Sequence, residues 1–226
     1  MYSIYNKTRA YIFRLLDAKC GTETERMKYF SSFISDYNFD SFLDLGCGKG
    51  LLFDNLASFD KSDFLVGVDL LKFRKRKHQH VIASATKLPF RNSVFSLVTA
   101  FSLVEHIPKV EREMFYKEAK RVIKKGGIFV IQFPNRYFII ESHTYFPFFG
   151  FLPSNMHSFA YRQEYVSVPS LKEVTCALRR HGFEVYNIEK YEGSFLPFPR
   201  FLSRIGFFLL FPMGYIIHTR TKSGGD

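Results

Sequence analysis

The stretch Leu43 to Gly50, LDLGCGKG, constrains the fold more than any other part of the chain. A short apolar run (Phe42, Leu43, Leu45) enters glycines at 46, 48 and 50, after which Leu51 and Leu52 open an apolar segment. Glycine accepts the left-handed backbone of a sharp turn and lets a ligand come close to the main chain. The segment therefore reads as strand, glycine loop and helix. Such a loop aims free N–H groups and the positive end of a helix at its ligand, ordinarily a phosphate. Here a carboxylate, Asp44, stands two residues before the first glycine, where it would repel a pyrophosphate and can hold an ammonium group. The spacing G-x-G-x-G also differs from the G-x-G-x-x-G of dinucleotide sites and from phosphate loops ending in Gly-Lys-Ser/Thr. A ligand carrying both an amine and a carboxylate suits these features together.

Further along, the apolar run Phe64 to Val68 (FLVGV) ends in Asp69, at the position where an acidic side chain can accept from both hydroxyls of a ribose. An amino acid and a nucleoside are thus required in one ligand, and S-adenosyl-L-methionine joins them. On these residues the chain resembles the class I S-adenosylmethionine-dependent methyltransferases, specifically a methyltransferase type 11-like domain, from Phe42 to Pro134 and more loosely elsewhere. The resemblance implies an α/β fold: one Rossmann-like domain, a mostly parallel seven-stranded sheet with an antiparallel last strand, and helices on both faces. It divides the chain into N-terminal cover helices (1–40), a cofactor-binding core (41–134), an acceptor lid inserted after the fifth strand (135–169) and a C-terminal helix and strands (170–226). It assigns the cofactor pocket to Asp44, Gly46, Cys47, Gly48, Gly50, Asp69, Leu70, Ser84, Ala85 and Phe101. Ser84-Ala85 stands where many relatives have Asp-Ala, and a serine hydroxyl accepts from the adenine amino group more weakly than a carboxylate. Ser96 replaces an acidic residue frequent in relatives, for no reason visible in the sequence.

At 226 residues the chain suffices for one substantial core. Cys20, Cys47 and Cys176 are odd in number and form no C-x-x-C pair, which suggests neither a disulfide framework nor a zinc site. The net charge of +11 favours an acidic partner: RNA, an anionic lipid surface or a phosphorylated substrate. The N-terminus, with Lys7, Arg9 and Arg14, lacks a signal-peptide pattern. The apolar stretch Ile205 to Ile217 is shorter than the roughly 20 residues that span a bilayer. A cytoplasmic protein is expected, with peripheral contact to an anionic membrane as a further possibility.

Thr22 and Glu25 have capping-box spacing, and Met27, Phe30, Ile34 and Tyr37 recur near the helical period, predicting a cover helix over the sheet. After Asp69 the segment LLKFRKRKHQH leaves little room for a helix before a strand at Val81 to Ala83. Its Lys72, Arg74, Lys75, Arg76 and Lys77 form either a solvated loop or a site for phosphate or anionic lipid. Val94 to Leu103 reads as a buried parallel strand. Glu111 to Lys125 is predicted helical, with Met114, Phe115, Ala119, Val122 and Ile123 inward and Gly126 as its stop. Gly127 to Phe133 is the fifth strand, Ser170 and Glu173 cap a helix ending at Gly182, and two strands close the chain at Phe183 to Tyr191 and Tyr215 to Thr221.

Methyl transfer from a sulfonium needs alignment of an acceptor lone pair and exclusion of water more than it needs catalytic groups. A hydroxyl acceptor also requires a base within hydrogen-bond reach. His143, in the aromatic segment 135–169, is the first candidate, with Glu141, Tyr145 and His157 after it; His106 on the loop leaving the fourth strand is another. Ala100-Phe101-Ser102-Leu103 lacks the Asn/Asp-Pro-Pro-Tyr/Phe arrangement used on base amino groups, so DNA is not expected as a partner. The aromatic lid suggests a small, lipid-like or lipid-linked glycan acceptor, methylated at oxygen. RNA or protein methylation on the basic surface, and a non-catalytic cofactor-binding or membrane-associated module, are the alternatives.

Overall fold

The computed structural model describes residues 23–56, 64–72, 79–138, 167–191 and 212–222. The described elements are α1 (Glu23–Ser32), β1 (Ser41–Leu45), α2 (Leu51–Asp54), β2 (Phe64–Asp69), β3 (Gln79–Ile82), β4 (Phe95–Phe101), α3 (Arg112–Val122), β5 (Ile123–Pro134), α4 (Leu171–Arg180), β6 (Phe183–Tyr191) and β7 (Gly214–Thr221). They build one seven-stranded sheet in the order β3-β2-β1-β4-β5-β7-β6. Strands β1 to β5 pair in parallel, while β7 runs antiparallel to both β5 and β6.

Alternation along the strands divides the apolar side chains between two cores. Leu43 and Leu45 of β1 join Phe115, Ala119 and Val122 of α3 and Val174 and Leu178 of α4 on one face. Phe42, Leu97, Val130 and Ile216 join Phe30 and Ile34 and the α2 residues Leu52 and Phe53 on the other. Both faces are covered, which is why the central strands are near-continuous in apolar residues. No helix among the described residues is long and apolar enough to cross a membrane.

Three local expectations are corrected. The helix before β5 ends at Val122, and Ile123, paired with Phe95, already belongs to the strand. Lys124 and Lys125 therefore lie in β5, and Gly126, at φ 74°, serves a strand irregularity, not a helix stop. Met114 is 49% exposed, because the buried stripe of α3 is Phe115, Tyr116, Ala119 and Val122 and position 114 falls outside it. Helix α1 stops at Ser32, so Ile34 and Tyr37 pack from the turn that follows. The cap of α4 forms as read: Glu173 N–H donates to Ser170 Oγ and Ser170 N–H to Glu173 Oε2, at 3.2 and 2.6 Å.

Ser96 acquires a role here. Its hydroxyl donates to Asp40 Oδ1 at 2.8 Å and accepts from the N–H groups of Asp40 and Ser41, tying the start of β4 to the start of β1. Lys124 Nζ completes the cluster at 2.8 Å from Asp40, and these donors hold the Asp40 carboxyl well below its ordinary range.

Candidate functional site

Beyond Leu45 the chain turns through Gly46, Gly48 and Gly50 with φ of 72°, 49° and 74°, values that strain any side-chain-bearing residue. Gly46 and Cys47 both donate their N–H to Val68 O, at 2.8 and 3.0 Å, pinning the loop to the end of β2. A Cβ on Gly46 would lie 2.9 Å from Leu103 Cδ1, whereas one on Gly48 would meet nothing within 4 Å. Packing thus adds to conformation at Gly46, while Gly48 borders open space into which a ligand can come. Gly50 begins the single described turn of α2, and Cys47 is buried in the core beneath the loop.

Asp44 is 4% exposed and lies on the sheet face opposite Leu43 and Leu45. Its register partner on β4, Thr99, donates Oγ1–H to Asp44 Oδ1 at 2.6 Å. Burial pushes the Asp44 carboxyl up to about 7; the Thr99 hydrogen bond opposes that rise and the nearby charge of Asp69 adds to it. Asp69 closes β2, and its carboxylate accepts from Gly48 N–H and Leu71 N–H, each at 2.9 Å. Each oxygen retains a second lone pair for a ligand hydroxyl. Leu70 beside it is 71% exposed.

Ser84 and Ala85 follow β3 and are half-buried. The Ser84 hydroxyl pairs with that of Thr86 at 2.8 Å, and Ala85 packs against the core. The wall beyond them, Leu88-Pro89-Phe90, is clamped to α3: Leu88 N–H donates to Glu118, and Arg121 donates to the carbonyls of Leu88 and Phe90. Phe101 ends β4, buried, its ring centroid 5.2 Å from that of Phe30 on α1.

The sheet thus brings Asp44, the three glycines, Asp69, Leu70 and Phe101 to the carboxyl edge of β1, β2 and β4, with Ser84 and Ala85 beyond β3. The order of strands reverses between β1 and β4, the position at which open α/β sheets take ligands. His106 sits at this edge, half-buried on the turn Val104–His106. His143, Glu141, Tyr145 and His157 lie outside the described residues, as do Arg74 to Lys77; Lys72 is exposed just past Leu70.

Three polar side chains at this edge escaped the sequence reading. Ser102, at φ 52°, donates its hydroxyl to Gln132 Oε1 at 2.9 Å, and Gln132 Nε2 donates to the Tyr191 hydroxyl at 2.7 Å. Gln132 and Tyr191 are buried, and burial holds the Tyr191 phenol well above its ordinary range. Gln132, like Thr99, is a polar residue with apolar neighbours on both sides, which was the available signal.

The donor set fits a ligand that joins a cationic amine to a ribose. A buried carboxylate can hold the amine, a second carboxylate one strand away can take the sugar hydroxyls, and the glycine loop leaves room between them.

Comparison with known proteins bears on the fold and the domain family. The sequence profile of the methyltransferase domain family matches residues 43–131. A sterol 4-C-methyltransferase of Caenorhabditis elegans is 26% identical over 166 residues, covering 68% of this chain and 47% of that protein. Among solved structures, the PH0226 protein of Pyrococcus horikoshii superposes with a TM-score of 0.65 at 19% identity, over 91% of this chain and 94% of its own. An S-adenosylmethionine-dependent methyltransferase of Mesorhizobium loti gives 0.60 at 16% identity, over 86% and 97%. At these identities the structures establish the fold. The chain matches about half the length of its curated relatives.

Proposed function

We propose, from the premise that this chain carries an S-adenosylmethionine-dependent methyltransferase domain, that it transfers the methyl group to oxygen of a small, lipid-like or lipid-linked glycan acceptor. The observation that carries the cofactor half of this reading is the pair of carboxylates on adjacent strand ends, Asp44 and Asp69, flanking the open space over Gly48. In it, Asp44 holds the ammonium of the methionine end and Asp69 the ribose hydroxyls. Leu70, Ala85 and Phe101 give apolar walls, and Ser84 accepts from the adenine amino group. The bound cofactor supplies an electrophilic methyl on a sulfonium that leaves readily.

The chain's remaining tasks are to align the acceptor behind that methyl, exclude water and accept the hydroxyl proton. We assign the proton to His143 on the segment after β5, with His106 as the alternative at the end of β4. The apolar acceptor is supported by the aromatic composition of the segment 135–169 and by the likeness to a protein named for methylating a sterol. The test is incubation with methyl-labelled cofactor and separated lipid, glycan-lipid, small-molecule, RNA and protein fractions. Label in the lipid or small-molecule fractions supports the reading. Label in RNA or protein alone, or in no fraction, overturns it.

A further inference from the structure

Helix α1 runs from the carboxyl edge of the sheet toward its amino edge. Phe30 covers Phe101, the last residue of β4, and the chain then reaches Asp40, next to the first residue of β1. Arg26 lies one helical turn before Phe30, about 5.4 Å back along the axis. Helical side chains lean toward the N-terminus. That lean is toward the carboxyl edge of the sheet, where β4 ends in Phe101. The position is half-buried, four residues from Phe30 on the same side of the helix, and yet carries a charge.

Two observations mark this arginine as a binding group. Its Nε is screened from solvent and has no hydrogen-bond acceptor among the described residues. None of the described ion pairs includes it. A screened N–H without an acceptor is costly to keep unless a ligand supplies one. Arg26 also lies near enough to Tyr191 for its charge to act on that phenol, against the charge of Glu105.

We propose that Arg26 receives the carboxylate of the cofactor's methionine end, opposite the ammonium held by Asp44. The inference rests on the cofactor reading above and assigns the one negative charge of the ligand, which neither aspartate can match. A guanidinium suits it because its planar fork takes a carboxylate through two parallel N–H donors.

The test compares two ligands that differ only in that carboxylate: S-adenosylhomocysteine, and its decarboxylated form, which keeps the ammonium. Calorimetric titration of the full chain should show Arg26→Met weakening the first by roughly 10- to 100-fold, the worth of a charged hydrogen bond, and leaving the second within about twofold. Arg26→Lys should lose less, again for the carboxylate-bearing ligand only, and carries the comparison if Arg26→Met does not fold. Equal loss for both ligands, or unchanged affinity for S-adenosylhomocysteine, overturns the assignment. No uptake of either ligand by the wild-type chain would remove the cofactor reading and this inference with it.

Discussion

Replacing Asp44 by asparagine should change binding and stability in opposite directions. The carboxylate is 4% exposed with Thr99 donating to it, and its pKa is pushed up to about 7 from an ordinary value of 3.8. A folded-state pKa raised above the unfolded one means that protonation favours the fold. The stability associated with the proton is fully present below about 4 and is lost as pH rises through about 7. At pH 8 the unliganded fold therefore holds this charge at a cost on the order of 4 kcal/mol, an upper figure, since a buried amide is also desolvated. The amide of the Asp44→Asn variant can still accept from Thr99 and carries no charge. Differential scanning calorimetry at pH 8 should show Asp44→Asn melting several degrees higher than wild type, at roughly 2–4 °C per kcal/mol for a domain of this size. The gain should shrink toward pH 4. Affinity should move the other way: without the carboxylate, S-adenosylhomocysteine loses a charge-assisted bond worth about 1.5–3 kcal/mol, or roughly 10- to 150-fold in Kd. Wild-type affinity should rise between about pH 5.5 and 7.5 as Asp44 gives up its proton, with a flatter profile in the variant. Unchanged affinity in Asp44→Asn, or a lowered melting temperature at pH 8, would refute the placement of this charge.

The glycine loop separates folding from binding. Gly46→Ala, which sets a Cβ 2.9 Å from Leu103 on a left-handed backbone, should lower the melting temperature by several degrees, while Gly48→Ala, also left-handed but facing open space, should lower it less and lose S-adenosylhomocysteine affinity in a titration. Ser170→Ala breaks the capping box of α4 and should cost about 1 kcal/mol in a denaturant melt, with ligand affinity unchanged. His143→Ala should abolish methyl transfer to the identified acceptor while cofactor titration is unaffected; retained turnover would take it out of the mechanism.

Legibility in the sequence followed locality. The β1 loop and the β2 terminus could be read because their constraints fall on consecutive residues: three glycines forced by a turn, and an acid at the end of an apolar run. The capping box at Ser170 is equally local. Lys124, Lys125 and Gly126 were misread because their helical character is local, whereas the pairing of Ile123 with Phe95 that draws them into β5 is not. Ser96 made sense only when β4 met β1 and Asp40 came within hydrogen-bond reach. Arg26 was passed over for a related reason: what distinguishes it, a screened Nε without an acceptor, depends on where α1 lies on the sheet.

Titration of the purified chain with S-adenosylhomocysteine, followed by calorimetry, tests the central assignment most directly. One molecule should bind per chain, with affinity reduced by Asp44→Asn and by Asp69→Asn, each through its own end of the ligand. A folded chain that takes up neither this product nor S-adenosylmethionine contradicts the account.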